Sequence, residues 1–193
     1  MIGLTGGIGC GKSAAAACFA ARGFEHVDAD ALARRALSMP AVVSALSSRW
    51  GSGYFSSEGV PDRVKIAAKV FEDRAELDYL ESLVHPEVAV MRSAAMTDRS
   101  RSYIVEIPLL FEKSLESEFE HVVCVGCSDS VRLERLRARG LTSEESERRI
   151  SMQMPVSQKV KKSDYVLWND GDHQCLQQQV DRLLAHLQRA KAG

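Results

Sequence analysis

Apolar residues fall along this chain in two alternating rhythms. Short runs at Met1–Thr5, Phe24–Asp28, Tyr103–Ile107, His121–Gly126 and Tyr165–Trp168 are apolar on consecutive positions and predict strands. Such runs suit strands covered on both faces of a parallel sheet. Elsewhere the apolar residues return at helical spacing, over Lys12 to about Ala21, Ala41–Trp50, Arg63–Phe71, Glu76–Leu83 and Gln174 to about Ala190. In the last of these Leu176, Val180, Leu183, Leu184 and Leu187 share one side. Strands alternating with helices predict a three-layer α/β fold around a five-stranded parallel sheet.

The spacing is uneven. No convincing strand lies between the second and third runs, so 36–99 is expected to be a helical insertion beside the sheet. A second insertion, 129–159, opens its middle with Thr142-Ser-Glu-Glu145, a capping box with Thr142 as N-cap. The sheet core is then 1–35, 100–128 and 160–193, and the whole chain is one domain.

Composition narrows the functions. The chain has 193 residues, 45% hydrophobic and 26% charged, with 25 Lys and Arg against 26 Asp and Glu. A net charge of −1 gives no global basic field, so nucleic acid and anionic membranes are not expected partners. No apolar stretch approaches the roughly 20 residues needed to span a bilayer, and the N-terminus lacks a basic, signal-like region. Five irregularly spaced cysteines suit free thiols in a reducing compartment. The expectation is a cytoplasmic protein acting as a monomer or weak homo-oligomer.

Gly6-Gly-Ile-Gly-Cys-Gly11-Lys12-Ser13 follows the first strand and matches G-x-x-x-x-G-K-[ST], the P-loop pattern. Backbone N–H groups of a glycine-rich loop converge on phosphate oxygens, and the next helix points its positive end at the same anion. Gly7, Ile8, Gly9, Cys10, Gly11, Lys12, Ser13 and Ala14 are the candidate ATP contacts. Lys12 is expected at the β- and γ-phosphates and the Ser13 hydroxyl on Mg²⁺. A guanine-reading Asn-Lys-x-Asp is absent, since Asn169 is the only asparagine, and no Asp-x-x-Gly switch occurs. A small kinase remains.

Phosphoryl transfer needs cations around a spread negative charge and a site closed to water. The arginine-rich second insertion suits a closing lid, with Arg135 and Arg139 four apart on one helix face. The same charges also suit a solvated face paired with Glu134, Glu144 and Glu145. Asp28 and Asp30 end the second strand, where positions i and i+2 share a side and a carboxylate can orient an attacking hydroxyl. They equally suit the cap of a helix from Ala31 onward. Glu106, before Ile107-Pro108, suits Mg²⁺ held directly or through water, although Pro108 also suits a plain strand stop.

Together these residues closely resemble the dephospho-CoA kinase family. The matching stretches are Gly3-Leu-Thr-Gly-Gly-Ile-Gly-Cys-Gly-Lys-Ser13, Asp28-Ala-Asp-Ala-Leu-Ala-Arg34, Glu58-Gly with Asp62-Arg63, Val70-Phe71 and Leu83-Val-His-Pro86. Glu106-Ile-Pro-Leu-Leu-Phe-Glu112, Arg135 with Arg139, Gln153-Met, Asp164-Tyr-Val and Asn169-Asp-Gly171 complete them. The resemblance implies a P-loop kinase fold with a helical acceptor-binding insertion and a lid. It implies ATP-dependent phosphorylation of the ribose 3′-hydroxyl of dephospho-CoA, with Mg²⁺. By position, Asp30 matches the residue acting on that hydroxyl with Asp28 as companion, and Arg135 and Arg139 match the lid arginines. Asn169 and Gly171 fall at the expected adenine site, and Arg34, Arg63 and His85 in the region bordering the acceptor. Cys10, Ala14 and Ser163 depart from the commoner serine, threonine and alanine without removing a needed group. The alternative is a P-loop kinase for another small-molecule alcohol or nucleotide, and a further rival is a binding protein that uses ATP as a switch.

Cys124-Val-Gly-Cys127 is a single C-x-x-C, half a zinc ligand set, and Cys124 reads as a strand core residue. Cys10, at an anion-binding helix end that lowers a thiol's pKa, is an oxidisable position. Trp50 and Trp168 are expected to pack.

Overall fold

The computed structural model describes residues 1–192, so Gly193 of the expected core lies outside them. The predicted runs form β1 (Ile2–Gly6), β2 (Phe24–Asp28), β3 (Ser102–Glu106), β4 (His121–Gly126) and β5 (Tyr165–Trp168). All pair in parallel, in the order β2-β3-β1-β4-β5. β1 is buried along its whole length, and β3 and β4 nearly so. The edge strands are not: Glu25 and His26 of β2 and Val166 and Trp168 of β5 are exposed, which corrects the expectation of five fully covered strands. An edge strand has one neighbour and less cover, so it tolerates polar residues.

On one face, α1 (Lys12–Ala20) and α9 (His173–Ala192) pack against the sheet. α1 buries Ala15, Ala16, Cys18 and Phe19, and the Phe19 ring meets Phe24 edge-on at 5.4 Å. The expected apolar side of α9 supplies Leu176, Val180, Leu183 and Leu187 to the same core, with Leu184 packed against it. Between β4 and β5 the chain forms α6 (Asp129–Ala138), α7 (Ser143–Ser151) and α8 (Val156–Lys162), with α8 against β4 and β1. Thr142 caps α7 as its spacing predicts. Its hydroxyl accepts from the Glu145 N–H at 3.2 Å, and the Glu145 carboxylate accepts from the Thr142 N–H at 2.9 Å.

Residues 1–28 and the chain from Asp98 onward make one unit around this sheet; Ala29–Thr97 make a second, helical unit. The second holds α2 (Ala29–Leu37), α3 (Pro40–Trp50), α4 (Arg63–Glu72) and α5 (Arg74–Ala95). It begins at Ala29 rather than the expected 36 because α2 packs on α5, where Ala36, Val42, Leu46 and Val84 form a separate apolar cluster. Asp62 and Asp73 cap α4 and α5, and Glu76 accepts from both Arg49 (2.8 Å) and the Trp50 indole (2.6 Å). Among the described residues no helix is long and apolar enough to cross a membrane.

Candidate active site

From β1 the chain goes out to β2, returns to β3 beside β1, and then crosses to β4 and β5 on the other side, so the switch point of the sheet lies at β1. Open α/β sheets bind ligands outside the carboxyl ends of strands at such a point. Here β1 ends in Gly6, the glycine loop follows, and α1 opens at Lys12. The Cys10 N–H folds back onto the Gly7 carbonyl at 3.2 Å. Gly11 has φ 93°, and a Cβ there would collide with the Asn169 amide nitrogen, so only glycine fits. No side chain caps α1 and no acid stands in its first turn, which leaves its positive end toward the loop. Lys12 Nζ donates to the carbonyls of Gly6 (3.2 Å) and Gly7 (3.1 Å).

The structure brings Ser13 and Glu106 together: the hydroxyl donates to the buried carboxylate at 3.2 Å. His26 Nε2 lies 3.3 Å from the other Glu106 oxygen, and the β2–β3 register sets Asp28 beside Glu106. Converging hydroxyl and carboxylate oxygens are the donor set that Mg²⁺ prefers, so these residues fit that ion.

The expectation that Asp28 and Asp30 share a strand face does not hold. The β2–β3 ladder stops at Asp28, opposite Glu106, and Asp30 stands in the first turn of α2. Ala29–Leu37 is rich in strong helix formers, and an acid in a first turn is favoured by the helix dipole.

Among the residues expected in a lid, Arg135 points its Nη1 to within 3.8 Å of where a Gly11 Cβ would stand; that nitrogen is buried without a hydrogen-bond partner. Arg139 caps the C-terminus of α6 and is exposed. Arg132, not among the expected site residues, lies over the loop: its Nη1 would be 3.3 Å from a Gly7 Cβ, and its side chain is only 11% exposed. Arg132 stands three residues before Arg135, on the same helix face, and that spacing was the available signal. Gln153 matched the family pattern without a role, and it accepts from the Ile8 N–H of the glycine loop at 2.9 Å.

The next N–H, of Met154, donates to Glu112 at 2.8 Å. Glu112 also pairs with Lys159, a lysine with no exposed surface, at 2.9 Å. Burial pushes the Glu112 carboxyl up, but the Lys159 and Met154 hydrogen bonds and the Lys159 charge win and hold it below its usual range. Gly7, Cys127, Arg132, Gln153, Met154, Val156 and Trp168 line a cleft of about 710 Å³ beside the loop. Trp168, expected to pack, is 47% exposed there, with its indole N–H on Asp170.

Asn169, expected at the adenine, is buried, and its amide donates to the Cys10 carbonyl at 2.9 Å, so its side chain is engaged with the glycine loop. Gly171 lies in the exposed turn that follows.

In the second unit, Arg34 and His85 line one groove of about 300 Å³ with Ala33, Leu37, Leu77, Leu80, Glu81 and Val84. The groove is mostly apolar with ionisable groups along it. Arg63 is not part of it; it is exposed at the start of α4.

The neighbouring Cys127 thiol, with the charges of Arg132 and Lys12 and the Gly7 backbone, outweighs burial and lowers Cys10 to about 6. Cys127 moves up, through the neighbouring Cys10 and through burial. Cys124 is fully buried, and burial raises it to about 11. No group of three metal-ligating side chains occurs among the described residues.

The family model for dephospho-CoA kinase matches residues 1–174. A dephospho-CoA kinase from Bdellovibrio bacteriovorus is 35% identical over 98% of this chain and 97% of its own. A crystal structure from Thermus thermophilus, 36% identical, superposes with a TM-score of 0.85 over 96% of both chains. Dephospho-CoA kinase from Campylobacter jejuni, 22% identical, shares the fold with a TM-score of 0.72 over 98% of both.

Proposed function

The chain belongs to the dephospho-CoA kinase family, and from that premise we propose that it transfers the γ-phosphoryl group of ATP to the ribose 3′-hydroxyl of dephospho-CoA, giving CoA and ADP. The observation that carries this reading is the meeting of three features at the end of β1. They are a glycine loop opening on a helix N-terminus, the Lys12 ammonium folded across that loop, and the Ser13 hydroxyl on the Glu106 carboxylate.

The backbone N–H groups from Gly9 to Ala14 hold the β- and γ-phosphates, and Gly7 and Ile8 shape the loop's entry. Ser13 and Glu106 would hold Mg²⁺, which supplies charge neutralisation on the phosphate oxygens when bound. Lys12 neutralises charge on the transferring group, and Arg135 and Arg139 add to it as the lid arginines. The adenine lies by the turn at Gly171; the Asn169 side chain, engaged with Cys10, serves the loop instead. Asp30 orients the 3′-hydroxyl, with Asp28 as its companion. Because the transition state is loose, orientation matters more than full proton removal. Arg34 and His85 hold the acceptor nucleotide in their groove, whose apolar walls suit a purine ring and whose cation suits the diphosphate. Arg63 extends that binding surface.

Competing acceptors test the reading. With ATP and Mg²⁺, dephospho-CoA is expected to be converted at least 100-fold faster than a nucleoside monophosphate, shikimate or gluconate. The product gains one phosphoryl group on the 3′-oxygen. Faster turnover of another acceptor would assign the fold to that substrate instead. Asp30→Asn is expected to lower kcat about 100-fold or more while leaving the ATP dissociation constant unchanged. Loss of ATP binding in that variant would refute its acceptor role.

A further inference from the structure

We propose that Cys10 and Cys127 form an oxidisable dithiol within the phosphate-binding loop, which peroxide closes to a disulfide that blocks nucleotide binding. The placement comes from the sheet. β1 and β4 pair in parallel with Gly6 opposite Val125, so the segments leaving these strands rise side by side from one edge. Cys10 sits in the first segment and Cys127 in the second, in one buried cluster, and each thiol is the strongest influence on the other. Cys127 lines the cleft together with Gly7, giving a small oxidant a way in.

The surroundings favour a thiolate at Cys10 and not at the other cysteines. Lys12 and Arg132 supply positive charge, and Arg132 Nε is buried with no hydrogen-bond partner. Cys18 and Cys124 are both pushed up by burial, hence poor nucleophiles. The chemistry balances in two steps. The Cys10 thiolate attacks one peroxide oxygen, the O–O bond breaks, and a sulfenic acid and hydroxide form. The Cys127 sulfur then attacks the Cys10 sulfur, the S–OH bond breaks, and the thiol proton leaves with it as water. Two thiols lose two electrons and one peroxide becomes two waters. An S–S bond of about 2.05 Å is far shorter than any contact between unbonded sulfurs, so closure draws the loop toward β4. The Cys10 and Gly11 N–H groups then leave their phosphate-binding positions, and a reducing dithiol restores them.

The test treats wild type and Cys127→Ser with excess hydrogen peroxide and follows intact mass, peptide map and ATP binding, each protein against its own untreated sample. In wild type the expected result is a loss of about 2 Da, the two thiol hydrogens. A peptide joins Cys10 to Cys127, and at least 10-fold weaker ATP binding returns on adding dithiothreitol. Cys127→Ser is expected to gain oxygen on Cys10 with no linked peptide. Three outcomes would overturn the proposal: added oxygen without the link in wild type, no reaction at either thiol, or a linked protein that binds ATP unimpaired. The wild-type measurements decide the matter even if the variant folds poorly, and they do not depend on which acceptor the enzyme uses.

Discussion

At Gly11 the backbone φ is 93° and the Asn169 amide lies where a side chain would be. Gly11→Ala therefore combines a left-handed strain of about 1–2 kcal/mol with loss of the Asn169–Cys10 hydrogen bond. It is expected to lower the melting temperature and abolish ATP binding together; calorimetry and nucleotide titration would check both. Lys12→Ala should leave the melting temperature nearly unchanged yet cut kcat/KM by about 100-fold or more, as steady-state kinetics would show. The residues of the glycine loop were legible because their order is itself the chemistry: glycines, then lysine, then a hydroxyl. Ser13 and Glu106 were legible one at a time, and only the β1–β3 pairing shows that they touch. Arg132, Gln153 and the Cys10–Cys127 contact were not assigned roles. Each meets the loop from a segment distant in sequence; the spacing of Arg132 to Arg135 was the local hint for one of them, and the pairing of Cys10 with Cys127 left none.

The second insertion shows how much a single element reveals. The Thr142–Glu145 capping box was visible as a spacing and is present as two reciprocal hydrogen bonds. Thr142→Ala is expected to cost about 1 kcal/mol and lower the melting temperature by about 2–4 °C. The root of α8 was not visible, since Lys159 in Val156–Lys162 looks like any solvated lysine, yet it is fully buried on Glu112. The folded Glu112 carboxyl titrates below its unfolded value of 4.5, so its contribution to stability is complete above that value. It is lost as pH falls through the lower folded value. Glu112→Gln, which leaves Lys159 buried without its counter-charge, should therefore be less stable than wild type by about 3 kcal/mol at pH 7. The gap should narrow below about pH 4.5, and thermal melts of both proteins across pH 3–7 would follow it. The Asp28-Ala-Asp30 segment misled for an elemental reason. A strand's two-residue alternation holds only while the ladder lasts, and here it lasts to Asp28.

Over the whole chain, the α/β class and the five strands were legible because buried runs and helical periods are local patterns. The order β2-β3-β1-β4-β5 was not, because pairing partners leave no mark on either strand alone. That order makes β1 the switch point and sets the glycine loop where ligands bind. The edge positions of β2 and β5 explain why their exposed residues departed from a uniform core pattern. The second unit was visible as a helical stretch, but its start at Ala29 follows from α2 packing on α5, a contact between distant segments. The central claim is that the loop's triphosphate site serves transfer to an alcohol and not simple hydrolysis. It is tested most directly by measuring ADP and 3′-phosphorylated product in one reaction, with and without dephospho-CoA. The account predicts one ADP per CoA formed and negligible ADP when the acceptor is left out. ADP released at the same rate whether or not dephospho-CoA is present would contradict it.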